Sequence, residues 1–274
     1  MNLGRARVVL RTRSVLEVLD LTLRVWTAWG PIYRRVALVA LGVPLAIVLA
    51  LKYAAGWTWW SLWPTAYALA AVAQGAFTVA AGTLMFEGDV RARTVLARFA
   101  RKLPRYLWSL LLTRGLAFGA LTGLLLAKGE SAIGWMIVLI GGPIMLVQWA
   151  FVHETVLLEG VTPVKRASRL IRRYAGAALG LQSSVMIAQL AMVFGTELMG
   201  QAIVSFVLQL GQPLGALWED GGSVFALVGL FGAVPFVATA RFLEYLDLRT
   251  RKEGWDLQLK FAAVQARDER RAAA

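Results

Sequence analysis

Residues 36–55, VALVALGVPLAIVLALKYAA, run for the thickness of a bilayer and carry a single charge, Lys52, near their end. Crossing a hydrocarbon core of about 30 Å takes about 20 helical residues. Lipid offers the backbone no hydrogen-bond partners, so a stretch of this kind must pair its own amides and carbonyls as a helix. Further apolar stretches at roughly 60–86, 104–127, 133–158, 174–197 and 222–246 are as long. With 58% hydrophobic and only 16% charged residues, against about 45–50% and about 25% in soluble domains, much of the solvent has to be lipid. The expected fold is all-α, an integral membrane bundle of about six transmembrane helices. Residues 1–260 form one membrane domain, and 261–274 are a polar cytoplasmic tail expected to be disordered.

The 29 basic residues are segregated by these stretches. All but Lys52 and Lys128 fall before the first, around the junction of the second and third, between the fourth and fifth, or at and beyond the end of the last. The positive-inside rule then places both termini in the cytoplasm, and an even number of spans follows. The net charge of +13 is thereby explained by topology. Nucleic acid is not expected as a partner, because the basic loops lack the interleaved aromatics of a strand binder. Aromatic clusters fit the two interfaces: Trp57, Trp59, Trp60 and Trp63 on the outer side, and Trp26, Trp29, Tyr33, Tyr106 and Trp108 on the inner.

Three stretches on the inner side read as amphipathic interfacial helices. In the first, Arg13, Glu17, Asp20, Arg24 and Thr27 recur at helical spacing opposite Leu16, Leu19, Leu23, Trp26 and Tyr33. The second begins after Asp89 as a candidate N-cap. The third begins at Thr162-Pro163, an N-cap followed by proline at the first helical position. Arg98, Arg101, Lys102 and Arg105 in the second, and Lys165, Arg166, Arg169, Arg172 and Arg173 in the third, are candidate contacts for anionic headgroups. Arg98, Arg101, Arg105 and Tyr106 repeat as Arg166, Arg169, Arg173 and Tyr174. This suggests a repeated unit of interfacial helix and transmembrane hairpin, an arrangement known in transporters. Residues 198–211 are expected to be an outer interfacial or re-entrant segment, with Glu219–Gly222 as a loop.

Ionisable groups at membrane depth are functional candidates. Arg114 and Glu154 are expected to approach each other, with His153 beside them, either as a buried ion pair that fixes register or as a proton or substrate relay. Glu197 is expected to reach the outer interface and water. Pro44, Pro143 and Pro235 are expected to kink their spans, which suits a central cavity or a tightly packed bundle alike.

The chain leaves its last span as Tyr245-Leu-Asp-Leu-Arg-Thr-Arg-Lys-Glu-Gly-Trp-Asp-Leu257. Through Tyr245, Asp247, Arg249, Arg251, Glu253, Gly254 and Asp256 it resembles the Y-x-D-x-R-x-R-x-E-G-x-D-L ending of a family of uncharacterised bacterial membrane proteins. That family is itself similar to the membrane domain fused to some glycerophosphodiester phosphodiesterases. The resemblance implies a bacterial inner-membrane protein without phosphodiesterase activity, because this chain has no catalytic domain of that kind. By spacing alone the segment is a membrane-exit helix with i,i+4 charge pairs Asp247–Arg251 and Arg249–Glu253, a clamp onto neighbouring helices, or a docking surface for a partner.

No cysteine and one histidine exclude disulfides, thiolate chemistry and a multi-histidine metal site within the chain. Arg11, Arg13, Glu17, Asp20 and Arg24 interrupt the apolar residues nearest the N-terminus, so no cleavable signal peptide is expected. No P-loop, G-x-S-x-G or H-E-x-x-H occurs. The expected role is a non-enzymatic membrane scaffold or accessory subunit without a cofactor, binding anionic lipid and a membrane or cytoplasmic protein partner. A small transporter or channel subunit for a lipid or solute is the alternative.

Overall fold

The computed structural model describes residues 13–87, 90–116, 119, 151–160 and 175–254. Their regular structure is all helical, with no strand among them. Four stretches are long and apolar enough to cross a membrane: Gly30–Tyr53, Trp59–Phe86, Ala178–Val207 and Val224–Arg251. They are compatible with a multi-pass membrane protein. Most of the third and fourth expected spans, the helix at Thr162-Pro163 with its basic residues, Pro143 and Asp256 lie outside the described residues.

The chain opens with α1 (Val15–Ala28), started by a capping box in which the Ser14 hydroxyl accepts from the Glu17 amide and the Glu17 carboxylate accepts from the Ser14 amide. Its inward stripe is Val18, Thr22 and Val25, continued by Trp29. Leu16 and Leu23 are exposed, as are the polar Glu17, Asp20 and Arg24. The helix therefore has a packed face, an apolar exposed flank and a charged one, rather than two opposed stripes.

Trp29 links α1 to α2 (Gly30–Ala40), where Pro31 occupies the first turn and needs no partner for its missing amide. Helix α3 (Gly42–Tyr53) follows after a break at Leu41. Pro44 explains the break, since it cannot donate to the Ala40 carbonyl one turn back. Helix α4 (Trp59–Phe86) is capped by Thr58. Helix α5 (Ala92–Leu110) follows Arg91, which makes no side-chain cap, and runs unbroken through Pro104 into a π-turn at Leu111–Gly115. The second basic amphipathic stretch and the start of the third expected span are thus one helix. The short α6 (Val152–Glu154) continues as a second π-turn, Thr155–Glu159, ended by Gly160 in the left-handed conformation.

Helix α7 (Ala175–Ala202) extends through a π-turn at Ile203–Val207. No separate interfacial or re-entrant segment begins at 198, where one was expected, because the helix runs on to Val207. Gly195 and Gly200 do not stop the helix, because packing against the last helix outweighs the roughly 1 kcal/mol propensity cost of each. A loop with the short α8 (Leu217–Asp220) leads to α9 (Val224–Glu253), capped by Ser223. Pro235 sits inside α9 without ending it.

Helices α4 and α9 form the centre, and α9 is buried on nearly every side from Ala226 to Leu248. A helix apolar all round belongs in a core. Helices α2–α3 and α7 lie outside, exposing Leu38, Val43, Ile47, Ile187, Leu198 and Phe206. So much apolar surface marks contact with lipid or with other apolar partners. The contact between α7 and α9 is the tightest. A Cβ on Gly229 would lie 2.7 Å from the Val193 Cα and 2.8 Å from the Met192 carbonyl oxygen, and one on Gly200 would lie 2.3 Å from the Phe225 ring. Small residues let the backbones meet, as is usual where helices pack by van der Waals contact in lipid.

Candidate functional site: a buried polar cluster and the clamp around it

Around the middle of α4, polar side chains from four helices turn inward. Glycine makes the place for them: a Cβ on Gly75 would lie 2.6 Å from Tyr106 Cε1 and 2.7 Å from Phe99 Cε2. Through this gap the Tyr106 hydroxyl reaches the Ala71 carbonyl at 2.7 Å and His153 Nδ1 at 2.5 Å. A tyrosine has one proton and a carbonyl can only accept. Tyr106 therefore donates to Ala71, and His153 donates from Nδ1 to the Tyr106 oxygen. His153 Nε2 is left as an acceptor, and it has no partner among the described residues.

Glu154 is fully buried beside His153, and neither carboxylate oxygen has a hydrogen-bond partner among the described residues. Arg241 is buried too and donates from Nη1 to Gln74 Oε1 at 3.1 Å. It lies within electrostatic range of Arg114, Glu154, Glu244 and Tyr106. Nε of Arg114, Nε of Arg241, Nε2 of Gln74 and Oε2 of Glu244 are also buried without partners among the described residues. Two guanidinium groups and two carboxylates balance in formal charge.

Arg114, His153 and Glu154 are brought into one cluster, but no ion pair within 4 Å joins Arg114 to Glu154 among the described residues. They interact at longer range, in an electrostatic network that also includes Tyr106 and Arg241. Sequence reasoning missed Arg241 and Glu244. Arg241 was expected in the cytoplasmic collar, yet it is only 7% exposed, because α9 continues about two turns beyond it before leaving the bundle. The signal was available: Arg241 and Glu244 sit inside the last apolar stretch, 222–246, where ionisable residues are rare. Tyr33 and Tyr106, expected at headgroup level, are instead buried. Tyr33 bonds to Thr239 at 2.9 Å.

The exit segment makes contacts within the chain. Asp247 accepts from the Arg13 amide at 2.7 Å and from Arg251 Nε at 2.7 Å, and Arg251 Nη2 donates to the Arg13 carbonyl at 2.5 Å. Tyr245 donates to Glu159. Arg249 pairs with the same carboxylate at 3.0 Å. The segment thus holds the start of α1 on one side and the end of the α6 stretch on the other. Gly254 closes α9 in the left-handed conformation, with its amide bonded to Thr250, which explains a glycine at that place. The Glu253 side chain and Asp256 lie outside the described residues.

The candidate headgroup contacts divide. Arg101 and Arg105 are exposed on α5, together with Arg91 and Arg93. Arg98 pairs with Glu87 at 2.6 Å, which raises its pKa. Lys102 donates to the Leu157 carbonyl. Partial burial, with Arg98 nearby, lowers the pKa of its ammonium.

At the opposite end, Glu197 is 1% exposed rather than solvated. It accepts from the Ser223 hydroxyl, from the Leu217 amide at 2.9 Å and from Gln201 Nε2 at 3.1 Å. It therefore pins the loop between α7 and α9. The tryptophans opposite join in: Trp63 Nε1 donates to the Gly221 carbonyl at 2.8 Å, and Trp59 is buried against Gly222. Trp60 is exposed.

No protein-family model, curated protein or solved structure matches the chain.

Proposed function

We propose that the chain is a six-span protein of a bacterial inner membrane with both termini in the cytoplasm. In this reading it acts as a non-enzymatic scaffold or accessory subunit that gathers anionic lipid and protein partners at its basic end. The observation that carries the reading is α5. Val95 and Tyr106 are buried on one side, Arg93, Arg101 and Arg105 are exposed away from it, and Arg91 is exposed just before the helix begins. A cationic face at the end of apolar helices sits where lipid phosphates would be, and each basic residue near an anionic surface contributes about 1 kcal/mol. A second contact is a shallow groove of about 680 Å³ on α2, where Arg34 and Arg35 flank Ala37, Leu38 and Gly42. That pairing suits a headgroup above an acyl chain. The segregation of basic residues and the resemblance of the exit segment support the topology and the bacterial membrane.

The test is lipid retention. The full chain, purified in mild detergent and offered mixed anionic and zwitterionic lipid, should keep the anionic species. Replacing Arg91, Arg93, Arg101 and Arg105 by Gln should abolish the preference while leaving the helical content unchanged. Equal retention of both lipids by the unaltered chain would overturn the reading.

A second reading, a small transporter or channel subunit, is favoured by the cluster around Glu154. Polar groups buried in a purely structural network are normally all satisfied, and several of these have no partner among the described residues.

A further inference from the structure

A cavity of about 230 Å³ opens between the start of α1, helix α7 and helix α9, at the end where Arg13 and Arg251 lie. Its polar wall consists of Arg13, Ser14, Glu244, Asp247 and Arg251, and Leu181 is part of its apolar wall. Asp247 is committed to the Arg13 amide and Arg251. Glu244 differs. It is 5% exposed, lines the cavity, and its Oε2 has no partner among the described residues. Glu244 thus borders a cavity large enough for several waters while its Oε2 is turned away from it into the protein, and a buried carboxyl oxygen in that position calls for a bonded water or a proton.

Behind Glu244 the polar groups continue inward. Arg241 is three residues earlier on the same helix, about 4.5 Å deeper by helical rise, and Glu154 is within electrostatic range of both. His153 is the chain neighbour of Glu154, and its Nε2 has no partner among the described residues. The π-turns Leu111–Gly115 and Thr155–Glu159 carry or adjoin Arg114 and Glu154, and such turns are frequent at functional sites.

We propose that Glu244 is the proton inlet of the bundle, passing protons between water in this cavity and Glu154 in the buried cluster. A hydronium ion in the cavity gives its proton to the Glu244 carboxylate and leaves as water. The Glu244 carboxylic acid then gives the proton to the Glu154 carboxylate through water and returns to its anionic form. Nothing is oxidised or reduced, and one positive charge enters the cluster per proton. Among the described residues, the charged groups around Glu244 are Arg13 at the start of α1, Arg241, Asp247 and Arg251 on α9, and Glu154 on α6. From α7 the cavity receives the apolar Leu181. The inference rests on the transport reading of the cluster and is independent of lipid binding.

Infrared difference spectroscopy of the full chain in lipid nanodiscs, after a rapid pH jump, reads the step directly through the carbonyl stretch of a protonated carboxyl. The unaltered chain should show such a band appearing as pH falls, and Glu154→Gln should remove the component that belongs to Glu154. Glu244→Gln should keep the band but slow its appearance by at least about tenfold, and Glu244→Asp should restore the rate. Leu181→Phe, which fills the cavity and leaves every carboxylate in place, should slow it likewise. An unchanged rate in both Glu244→Gln and Leu181→Phe, or the absence of a band assignable to Glu154, would overturn the proposal. Proton flux into sealed vesicles, measured separately, tests the transport reading itself. A band with Glu244-dependent kinetics but no flux would remove transport and keep the inlet.

Discussion

Single side chains decide both ends of this bundle. Glu197 satisfies a hydroxyl, a backbone amide and a side-chain amide at once. Its replacement by Ala should strand these donors at a cost of roughly 2–4 kcal/mol. Thermal unfolding in detergent should show the loss, and proteolysis should find the loop at 208–222 opened. Gly75 plays the matching part near the cluster. Gly75→Ala has no room beside Tyr106 and Phe99. It should destabilise the protein by about 1–3 kcal/mol and separate Tyr106 from His153, visible as an altered histidine nitrogen resonance.

At the scale of helices, α9 offers a controlled comparison. Gly229 meets the α7 backbone, whereas a Cβ on Gly232 would have nothing within 4 Å. Gly229→Ala should therefore cost about 1–3 kcal/mol by forcing the helices apart. Gly232→Ala, one turn away, should be neutral or stabilising by up to about 1 kcal/mol through helix propensity. Opposite signs in one melting experiment would establish the contact, and equal effects would refute it. The end of α9 acts as a clamp through Asp247, which holds the Arg13 amide and Arg251. Asp247→Ala leaves Nε of Arg251 and that amide without their acceptor and should cost roughly 2–4 kcal/mol. Hydrogen exchange should accelerate first in residues 13–28, the stretch the clamp secures.

For the whole molecule the central expectation is sidedness. Reporter domains fused within the loop at Trp57 and after Gly254 should sit in opposite compartments. A shared compartment would remove the proposed topology. The architecture, with α4 and α9 inside and apolar α2–α3 and α7 outside, further requires that the protein stay monodisperse only while detergent or lipid covers Leu38, Ile187 and Phe206.

The long apolar stretches were legible in the sequence because their signal is local: some twenty residues without charge have one way to satisfy their backbone in lipid. Four of them are recovered as long apolar helices, with ends shifted by a few residues at Gly30–Tyr53 and by ten at Ala178–Val207. Composition and spacing also singled out Arg114, His153, Glu154 and the exit segment as unusual. What those residues touch depends on contacts between helices far apart in the chain. Arg241 reads as one more basic residue at a membrane exit until packing shows α9 still buried there. Glu197 reads as a solvated carboxylate until the loop folds back onto it. Asp247 and Arg251 do form the expected i,i+4 pair at 2.7 Å, but spacing gives no sign that both also bond to the Arg13 backbone, 234 residues from Asp247 along the chain. Periodicity reports which face of a helix is apolar, and only the assembled bundle decides which polar group meets which.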